Sequence, residues 1–159
     1  MGMMRFSEPR PIEEGDCIDG FECGVELVDE WVRTRSKGAR KVGTAVVYVS
    51  FTDNQLAGFY TLSAQSIARE GIGGWISRNA PAQVPVILLG MLGVDRRFQG
   101  DGLGRNLLLD ASKRALMASD SIGARTLVVD PYGDAARDFY VSCGFRPIPN
   151  TDRMYAKLN

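Results

Sequence analysis

The sequence predicts an α/β (α+β) fold, with a mixed, mostly antiparallel sheet and helices on both faces. The predicted order of elements is α-β-β-β-α-β-α-β, because hydrophobic residues change between helical and strand-like spacing along the chain. The chain has 159 residues, of which 45% are hydrophobic, enough to bury the core of an ordinary domain. We therefore expect a single domain over residues 1–159.

The first half of the chain is predicted to hold one helix and one hairpin. Val25, Val28 and Val32 recur at helical spacing, and Asp53-Asn54 separates two strand-like runs. The predicted elements, in chain order, are an irregular segment over 1–20, a helix from near Gly24 to Gly38, strands over 45–51 and 56–63, and a longer connection over 69–83.

The second half of the chain alternates strands and helices. Its first apolar run is too short and interrupted to cross a membrane, so it predicts a buried strand. In the last helix, Asp134 is expected to accept N–H hydrogen bonds at the N-terminus and Gly144 to take the left-handed position at the C-terminus. The predicted elements are a strand over 84–95, an amphipathic helix from Gly104 to near Ala118, a strand over 126–130, a helix over 134–143, and a closing hairpin through 145 and 154–156.

Residues 99–104, Gln-Gly-Asp-Gly-Leu-Gly, lie between a predicted strand and a predicted helix. Glycines there allow first-turn N–H groups to approach an anion closely, and the helix dipole favours the anion, so we expect a pyrophosphate site. The alternative is a tight strand-to-helix turn without a ligand. No Gly-Lys-Ser/Thr follows, which argues against a P-loop, and the acidic residue of a dinucleotide-binding unit is missing.

Composition excludes several classes of chemistry. The chain has no histidine, which excludes Ser-His and Cys-His catalysis and the usual zinc sites. Cys17, Cys23 and Cys143 show no Cys-x-x-Cys spacing, so we expect reduced thiols and no metal. The sequence contains neither an apolar run of eighteen residues nor a secretory signal, so we expect a cytoplasmic protein without a membrane segment.

Two motifs resemble the GNAT family of N-acetyltransferases. The Gln-x-x-Gly-x-Gly pattern of residues 99–104 is similar to the family's acetyl-CoA pyrophosphate loop. The pattern Phe139-Tyr140 followed by Gly144-Phe145 is similar to the helix whose tyrosine lies beside the thioester sulfur. The resemblance implies a GNAT fold and makes Tyr140 the candidate general acid, while the alternative is that Tyr140 is a packing aromatic.

Further segments resemble a narrower group, the TacT-like acetyltransferase toxins of bacterial type II toxin-antitoxin systems. These segments are Phe21-Glu22-Cys23-Gly24, residues 56–62 and residues 78–89. The resemblance implies transfer of acetyl from acetyl-CoA to the α-amino group of aminoacyl-tRNA, which blocks translation. It also implies a ribbon-helix-helix antitoxin and a homodimer.

The resemblance assigns the site residues. Backbone N–H groups near Leu92 to Val94 would bind acetyl-CoA and polarise the thioester carbonyl. The expected cofactor contacts are Leu92, Gly93, Val94, Gln99, Gly100, Asp101, Gly102, Leu103, Gly104, Arg105, Asp134, Arg137 and Phe139. The expected contacts to tRNA are Arg33, Lys37, Arg40, Lys41, Arg78, Asn79 and Arg96.

Alternatives remain for several of these residues. The cations between 33 and 41 also fit a solvated helix end, since positive charge is favourable there, and the chain has 19 basic and 19 acidic residues. Arg78-Asn79 also fits a loop edge before a proline. Asp101 is an acidic residue where many relatives carry a basic or neutral one.

Two other functions compete with the toxin hypothesis. One is an acetyltransferase of the same fold that acts on a small amine or a protein N-terminus. The other is a non-catalytic module that binds coenzyme A or a partner, in which Tyr140 would have no role in turnover.

Overall fold

The computed structural model describes residues 5–69 and 82–158. Over these residues the strands are β1 Arg10–Pro11, β2 Val46–Thr52, β3 Gln55–Ala68, β4 Gln83–Val94, β5 Thr126–Val129, β6 Arg146–Pro147 and β7 Met154–Lys157. The helices are α1 Glu26–Arg35, α2 Ala39–Val42, α3 Leu103–Ile122 and α4 Asp134–Ser142, with a 3₁₀ turn at Arg96–Phe98.

The strands form a mixed sheet in the order β1-β2-β3-β4-β5-β7-β6. The β4 and β5 strands are parallel, with Leu88 opposite Val128, because α3 returns the chain to the same end of the sheet between them. The β1–β2, β5–β7 and β6–β7 pairs are antiparallel. The predicted mixed sheet is thereby confirmed.

The described chain divides into two compact units, Met1–Thr61 with Met91–Asp110, and Leu62–Gly90 with Ala111–Asn159. The single domain expected for residues 1–159 stays a prediction.

In the first unit, β2 and β3 form the predicted hairpin. Asp53 and Asn54 have φ values of 49° and 63°, the left-handed pair that a two-residue type I′ turn requires. The α3 helix packs closely on β3 because Gly58 has no side chain: a Cβ there would lie 2.8 Å from Leu107 Cδ1. The Tyr60 hydroxyl also hydrogen-bonds to Asp110 of α3.

In the second unit, alternate residues of β4 face one apolar cluster. Val84, Val86 and Leu88 are buried together with Val128 and Ile148. This alternation follows from the pleat of the strand, in which every second side chain points to the same face. The cluster fixes β4 beside β5, and α4 follows β5 directly along the chain.

Several element bounds differ from the sequence predictions. Residues 1–20 are predicted to be irregular, but β1 pairs with β2 through its backbone; two residues are too few for a hydrophobic period, and the proline suits an edge strand. The α1 helix ends at Arg35, and a separate α2 turn ends at Gly43 with φ 78°. The β3 strand extends to Ala68 and α3 to Ile122. The central part of the predicted 69–83 connection lies outside the described residues.

Candidate active site

The carboxyl end of β4 carries the first predicted cofactor residues, Leu92 to Val94. Gly93 is closely surrounded, since a Cβ on it would lie 3.0 Å from Phe59 Cε1 and 3.4 Å from Val28 Cγ1. Because glycine leaves this space free, the β4 backbone approaches β3 and α1 closely. The strand ends before Asp95, whose N–H donates to the Ala57 carbonyl at 2.8 Å.

The Asp95 carboxylate fixes the turn after β4. It is 2% exposed and accepts hydrogen bonds from the Glu22 N–H at 3.1 Å, the Arg97 N–H at 2.9 Å and Arg97 Nε at 2.9 Å. Burial alone would raise the pKa of Asp95, but the hydrogen bonds from Arg97 and Glu22 outweigh it, so the pKa lies below its ordinary value. Arg97 also donates to Gln55 Oε1 at 2.8 Å.

Gln99 ties the glycine-rich loop to two other segments. Its Nε2 donates to the Val94 carbonyl at 2.8 Å and to the Cys23 carbonyl at 2.9 Å. One amide therefore holds the end of β4, the segment before α1 and the start of the loop together. These two hydrogen bonds explain why the motif has a glutamine at this position.

The loop itself is open toward solvent. Gly100 and Gly102 have φ values of 89° and 84°, and a Cβ on either would meet nothing within 4 Å. The first intrahelical hydrogen bond of α3 runs from the Asn106 N–H to the Gly102 carbonyl, so the first-turn N–H groups at 103–105 precede it. An uncrowded backbone before a helix of 20 residues fits the expected pyrophosphate. Asp101 is exposed.

Tyr140 lies in the second unit, on α4, where the helix end fixes its position. The Phe145 N–H donates to the Tyr140 carbonyl at 3.0 Å, and the Gly144 N–H donates to the Val141 carbonyl at 3.0 Å. These two bonds, with Gly144 at φ 94°, form a Schellman motif. The Phe145 ring also packs edge-to-face on Tyr140, with 5.4 Å between centroids.

The surroundings of Tyr140 keep its hydroxyl protonated. The side chain is 4% exposed, and this burial is the main cause that raises its pKa above the ordinary value. The negative charge of Asp130 raises the pKa further. Among the residues that the structure describes, none hydrogen-bonds to the Tyr140 hydroxyl, so its proton is not engaged by a neighbour there.

The other predicted cofactor residues of α4 are held differently. Phe139 packs edge-to-face on Tyr140 at 5.4 Å, and Arg137 Nη1 donates to the Asp152 carbonyl at 3.4 Å. The prediction that Asp134 caps the helix is wrong: the capping position is Gly133, at φ 97°, without a side-chain cap. Asp134 is the first helical residue and is exposed. Its negative charge at the N-terminus interacts favourably with the helix dipole.

The predicted tRNA contacts fall into four groups. Arg33, Arg40 and Lys41 are exposed around the end of α1 and α2. Lys37 is half-buried, and its Nζ donates to the Glu14 carbonyl at 2.7 Å, so it attaches the N-terminal segment to α1. Arg96 lies 3.4 Å from Glu22 in an exposed ion pair. Arg78 and Asn79 lie outside the described residues.

Sequence reasoning missed Asp95 and Asp130. Asp95 and its partner Glu22 are separated by 73 positions, so the spacing of residues along the chain carries no signal for their contact. Asp130 accepts a hydrogen bond from Arg153 Nε at 2.8 Å and contributes to the electrostatics at Tyr140. The one signal in the sequence is that each carboxylate directly follows an apolar strand.

Comparison with known proteins identifies the family. Residues 43–147 match the family model of the acetyltransferase (GNAT) domain. The chain belongs to the GNAT acetyltransferase family. This membership confirms the fold predicted from the two motifs. It also makes the chain an acetyltransferase by family.

Similar GNAT proteins include bacterial toxins. The tRNA-acetylating toxin of Mycobacterium tuberculosis (strain ATCC 25618 / H37Rv) is 40% identical over 156 residues, which cover 98% of this chain and 93% of that protein. The probable toxin TacT of Sinorhizobium fredii (strain NBRC 101917 / NGR234) is 29% identical over 150 residues, covering 87% and 83%.

Solved structures show the same fold. A KacT variant in which a tyrosine is replaced by phenylalanine has a TM-score of 0.88 and 23% identity, covering 96% of this chain and 95% of that one. AtaT in complex with acetyl-methionyl-tRNAfMet has a TM-score of 0.83 and 24% identity, covering 96% and 95%. Over the described residues of this GNAT chain, no helix is long and apolar enough to span a membrane.

Proposed function

We propose that this GNAT protein is the toxin of a type II toxin-antitoxin system, which transfers acetyl from acetyl-CoA to the α-amino group of aminoacyl-tRNA and thereby blocks translation. The observation that carries this proposal is the 40% identity to a tRNA-acetylating toxin over 98% of this chain. The site supports it, because an open glycine loop and a protonated tyrosine fit acetyl transfer to an amine.

The first unit would hold the donor. The open backbone at Gly100 and Gly102 fits a pyrophosphate, and the β4 backbone at Leu92 to Val94 would hold the thioester arm and polarise its carbonyl. Acetyl-CoA supplies the activated acetyl group. Asp95 and Gln99 position these segments through the hydrogen bonds described above.

Tyr140 would act as the general acid that protonates the departing sulfur. Burial ensures that the hydroxyl carries its proton, but the raised pKa also makes it a weaker acid than free tyrosine. Apolar surroundings raise the pKa of the coenzyme A thiol as well. The difference between the pKa of Tyr140 and the pKa of the departing thiol therefore becomes smaller. The backbone at β4 and the Tyr140 hydroxyl thus have separate roles, one at the carbonyl and one at the leaving group.

The acceptor needs no strong base from the protein. An α-amino group has an ordinary pKa of about 7.7, so a useful fraction is neutral near pH 7. This chemistry suits a chain with no histidine. Water near the site would accept the remaining proton.

The proposal includes the partners of the toxin. Arg33, Arg40, Lys41 and Arg96 would contact tRNA phosphates, with Arg78, Asn79 and Lys37 as the remaining proposed contacts. A neighbouring ribbon-helix-helix protein would serve as antitoxin. The toxin would act as a homodimer in the cytoplasm, where charged tRNA and acetyl-CoA are found.

The decisive experiment is incubation with labelled acetyl-CoA and total charged tRNA, followed by RNase digestion and identification of acetylated aminoacyl-adenosine. We expect a labelled product with the wild-type chain and a much weaker signal with Tyr140→Phe. Label on peptides or small amines, with none on RNA, would favour the alternative acetyltransferase. Coenzyme A binding without release from acetyl-CoA would favour the non-catalytic module.

A further inference from the structure

The exposed side of α1 in the first unit carries two adjoining grooves that share Trp31, Thr34 and Arg35. The larger has a volume of about 510 Å³ and the smaller about 370 Å³. Leu27 and Glu30 complete the lining of the larger groove, and residues in and around α2 complete the smaller one. We call this surface the Trp31 groove.

The indole of Trp31 packs against a buried aromatic ring. It lies parallel to the Phe59 ring, with an interplanar angle of 7° and 6.4 Å between centroids. Phe59 is itself 1% exposed, so it forms a fixed support. Trp31 lines both volumes, so the indole provides a flat aromatic surface in each of them.

Phe59 also links the Trp31 groove to the expected acetyl-transfer centre. A Cβ on Gly93 would lie 3.0 Å from Phe59 Cε1, so Phe59 separates the indole from the β4 backbone that would hold the thioester. All three residues belong to the same unit. A ligand on Trp31 would therefore lie one aromatic ring away from the β4 strand.

Positive charge lies in the Trp31 groove and elsewhere on the same two helices. Arg35 lines both volumes, and Arg33, Arg40 and Lys41 are exposed on α1 and α2. Within the described part of the chain, none of these four cations forms an ion pair. The acidic residue of the described lining is Glu30, and Lys37 is engaged by the Glu14 carbonyl.

An aromatic surface bordered by cations is suited to an unpaired nucleotide. Bases stack on aromatic rings while arginine and lysine contact the phosphates. A base pair inside a duplex exposes only its edges, so the interior of a double-stranded stem cannot supply this contact. In an aminoacyl-tRNA, the unpaired bases closest to the amino acid are those of the single-stranded 3′ end.

We infer that the Trp31 groove binds an unpaired base of the 3′ end of the substrate tRNA, with stacking on Trp31 and a phosphate contact from Arg35. This inference rests on the proposed function and adds to it the subsite that recognises the acceptor strand. The stack would position the esterified amino acid toward β4.

The first test compares two acceptors. Stacking contributes enough binding energy per base that Trp31→Ala should lower kcat/KM for aminoacyl-tRNA about ten-fold or more. Turnover of an amino acid methyl ester, which has no base, should stay unchanged, as should the KM for acetyl-CoA. Trp31→Phe, which keeps a ring, should retain most activity, and Met117→Ala at an exposed apolar site should have no effect.

The second test needs no substitution of the indole. Uncharged tRNA should bind the wild-type chain more tightly than tRNA trimmed of its unpaired 3′ nucleotides. This difference should disappear in Trp31→Ala and become smaller in Arg35→Ala, whereas Arg146→Ala should keep it. Equal binding of trimmed and intact tRNA to the wild-type chain would overturn the inference.

Other outcomes are equally informative. An equal loss for aminoacyl-tRNA and the methyl ester in both Trp31 variants would assign Trp31 a structural role and overturn the inference. Protection of the groove by an antitoxin peptide, without protection by tRNA, would also overturn it. If the wild-type chain acetylates the methyl ester but no aminoacyl-tRNA, the proposed function fails, whatever the behaviour of Trp31.

Discussion

Burial affects Tyr140 in two ways, because it keeps the hydroxyl protonated and weakens it as an acid. The raised pKa follows first from burial and then from the charge of Asp130. Removing the hydroxyl takes away the proposed proton donor but keeps the ring that packs against Phe139 and Phe145. The effect of Tyr140→Phe should therefore appear in chemistry and leave the folding of α4 intact.

For Tyr140→Phe, we expect kcat to fall about 100-fold or more with little change in the KM for acetyl-CoA, as for loss of a general acid. Steady-state kinetics with both substrates would measure kcat and KM separately.

In the wild type, kcat/KM should rise with pH as the α-amino group of pKa about 7.7 loses its proton, and it should not fall again below about pH 9. A decrease over that range would show that Tyr140 ionises at a lower pH than its burial implies.

The Asp95 carboxylate contributes to folding stability in a way that depends on pH. Its pKa is lowered in the folded state, so its contribution to stability is present above the unfolded value of about 3.9 and is lost as pH falls through the folded value. Asp95→Ala leaves the N–H groups of Glu22 and Arg97 without this acceptor. We expect the free energy of unfolding to fall by about 1–3 kcal/mol at pH 7.

Urea unfolding at pH 7 and at about pH 3 would check this sign. The difference between wild type and Asp95→Ala should shrink at the lower pH, because the carboxyl of the unfolded chain, with a pKa of about 3.9, is then mostly protonated and folding must release that proton. Asp101→Ala serves as the control, since Asp101 is exposed and its loss should change stability little at either pH. A difference that stays constant with pH would mean that the carboxylate charge does not contribute.

At the scale of an element, the glycine loop and the end of α4 depend on left-handed backbone. The substitution Gly102→Ala places a Cβ on a residue whose φ is 84°, which costs roughly 1–2 kcal/mol of strain. If the loop shifts to relieve that strain, the KM for acetyl-CoA should rise about five- to thirty-fold. Gly123→Ala is the matched control: its φ is 79° and its Cβ would also meet nothing within 4 Å. That variant should lose stability but keep the KM.

Gly144 terminates α4 at φ 94° and completes the Schellman motif that holds Tyr140. Gly144→Ala should lower the free energy of unfolding by roughly 1–2 kcal/mol. Thermal unfolding would measure this loss, with Gly15→Ala as the comparison, because Gly15 has neither a left-handed φ nor a neighbour within 4 Å of a Cβ. Equal stability of both variants would contradict the assigned role of Gly144.

The elements that the sequence predicted correctly depend on local chemistry. Asp53-Asn54 forms the hairpin turn and Gly144 ends α4, because backbone conformation is set by the residue itself and its neighbours. The contacts of Asp95 with Glu22 and of Trp31 with Phe59 could not be predicted, since each partner lies far away in the sequence. The buried side of α1 was also predictable, because Val28 and Val32 recur at helical spacing and are buried, while Leu27 lies off that stripe and is exposed.

At the scale of the whole molecule, the balance of 19 basic and 19 acidic residues means that attraction to RNA must come from an uneven distribution of charge. The exposed cations of α1 and α2 provide such a patch. Removing one cation that binds a phosphate should reduce the slope of log affinity against log salt concentration by about 1. For Arg33→Ala with Arg40→Ala we therefore expect the slope of tRNA binding to fall by about 2.

Binding of tRNA over a series of salt concentrations would measure this slope. Arg146→Ala, which removes an exposed cation of the other unit, should leave it unchanged, and the KM for acetyl-CoA should be the same in all variants. An unchanged slope in the double variant would mean that these cations only terminate a solvated helix.

Gly93 and Asp95 also determine the register in which β4 joins the sheet. Much of β4 is apolar, so a slip of two residues would keep the same face buried and would cost little hydrophobic energy. Such a slip would, however, place Met91 or Asp95 where Gly93 makes room for Phe59, and it would take the Asp95 carboxylate away from Glu22. The correct register is thus selected by a steric clash and a buried carboxylate. A misregistered chain would be rejected at residues within the proposed donor site, so chains that fold successfully also have this part of the proposed site assembled.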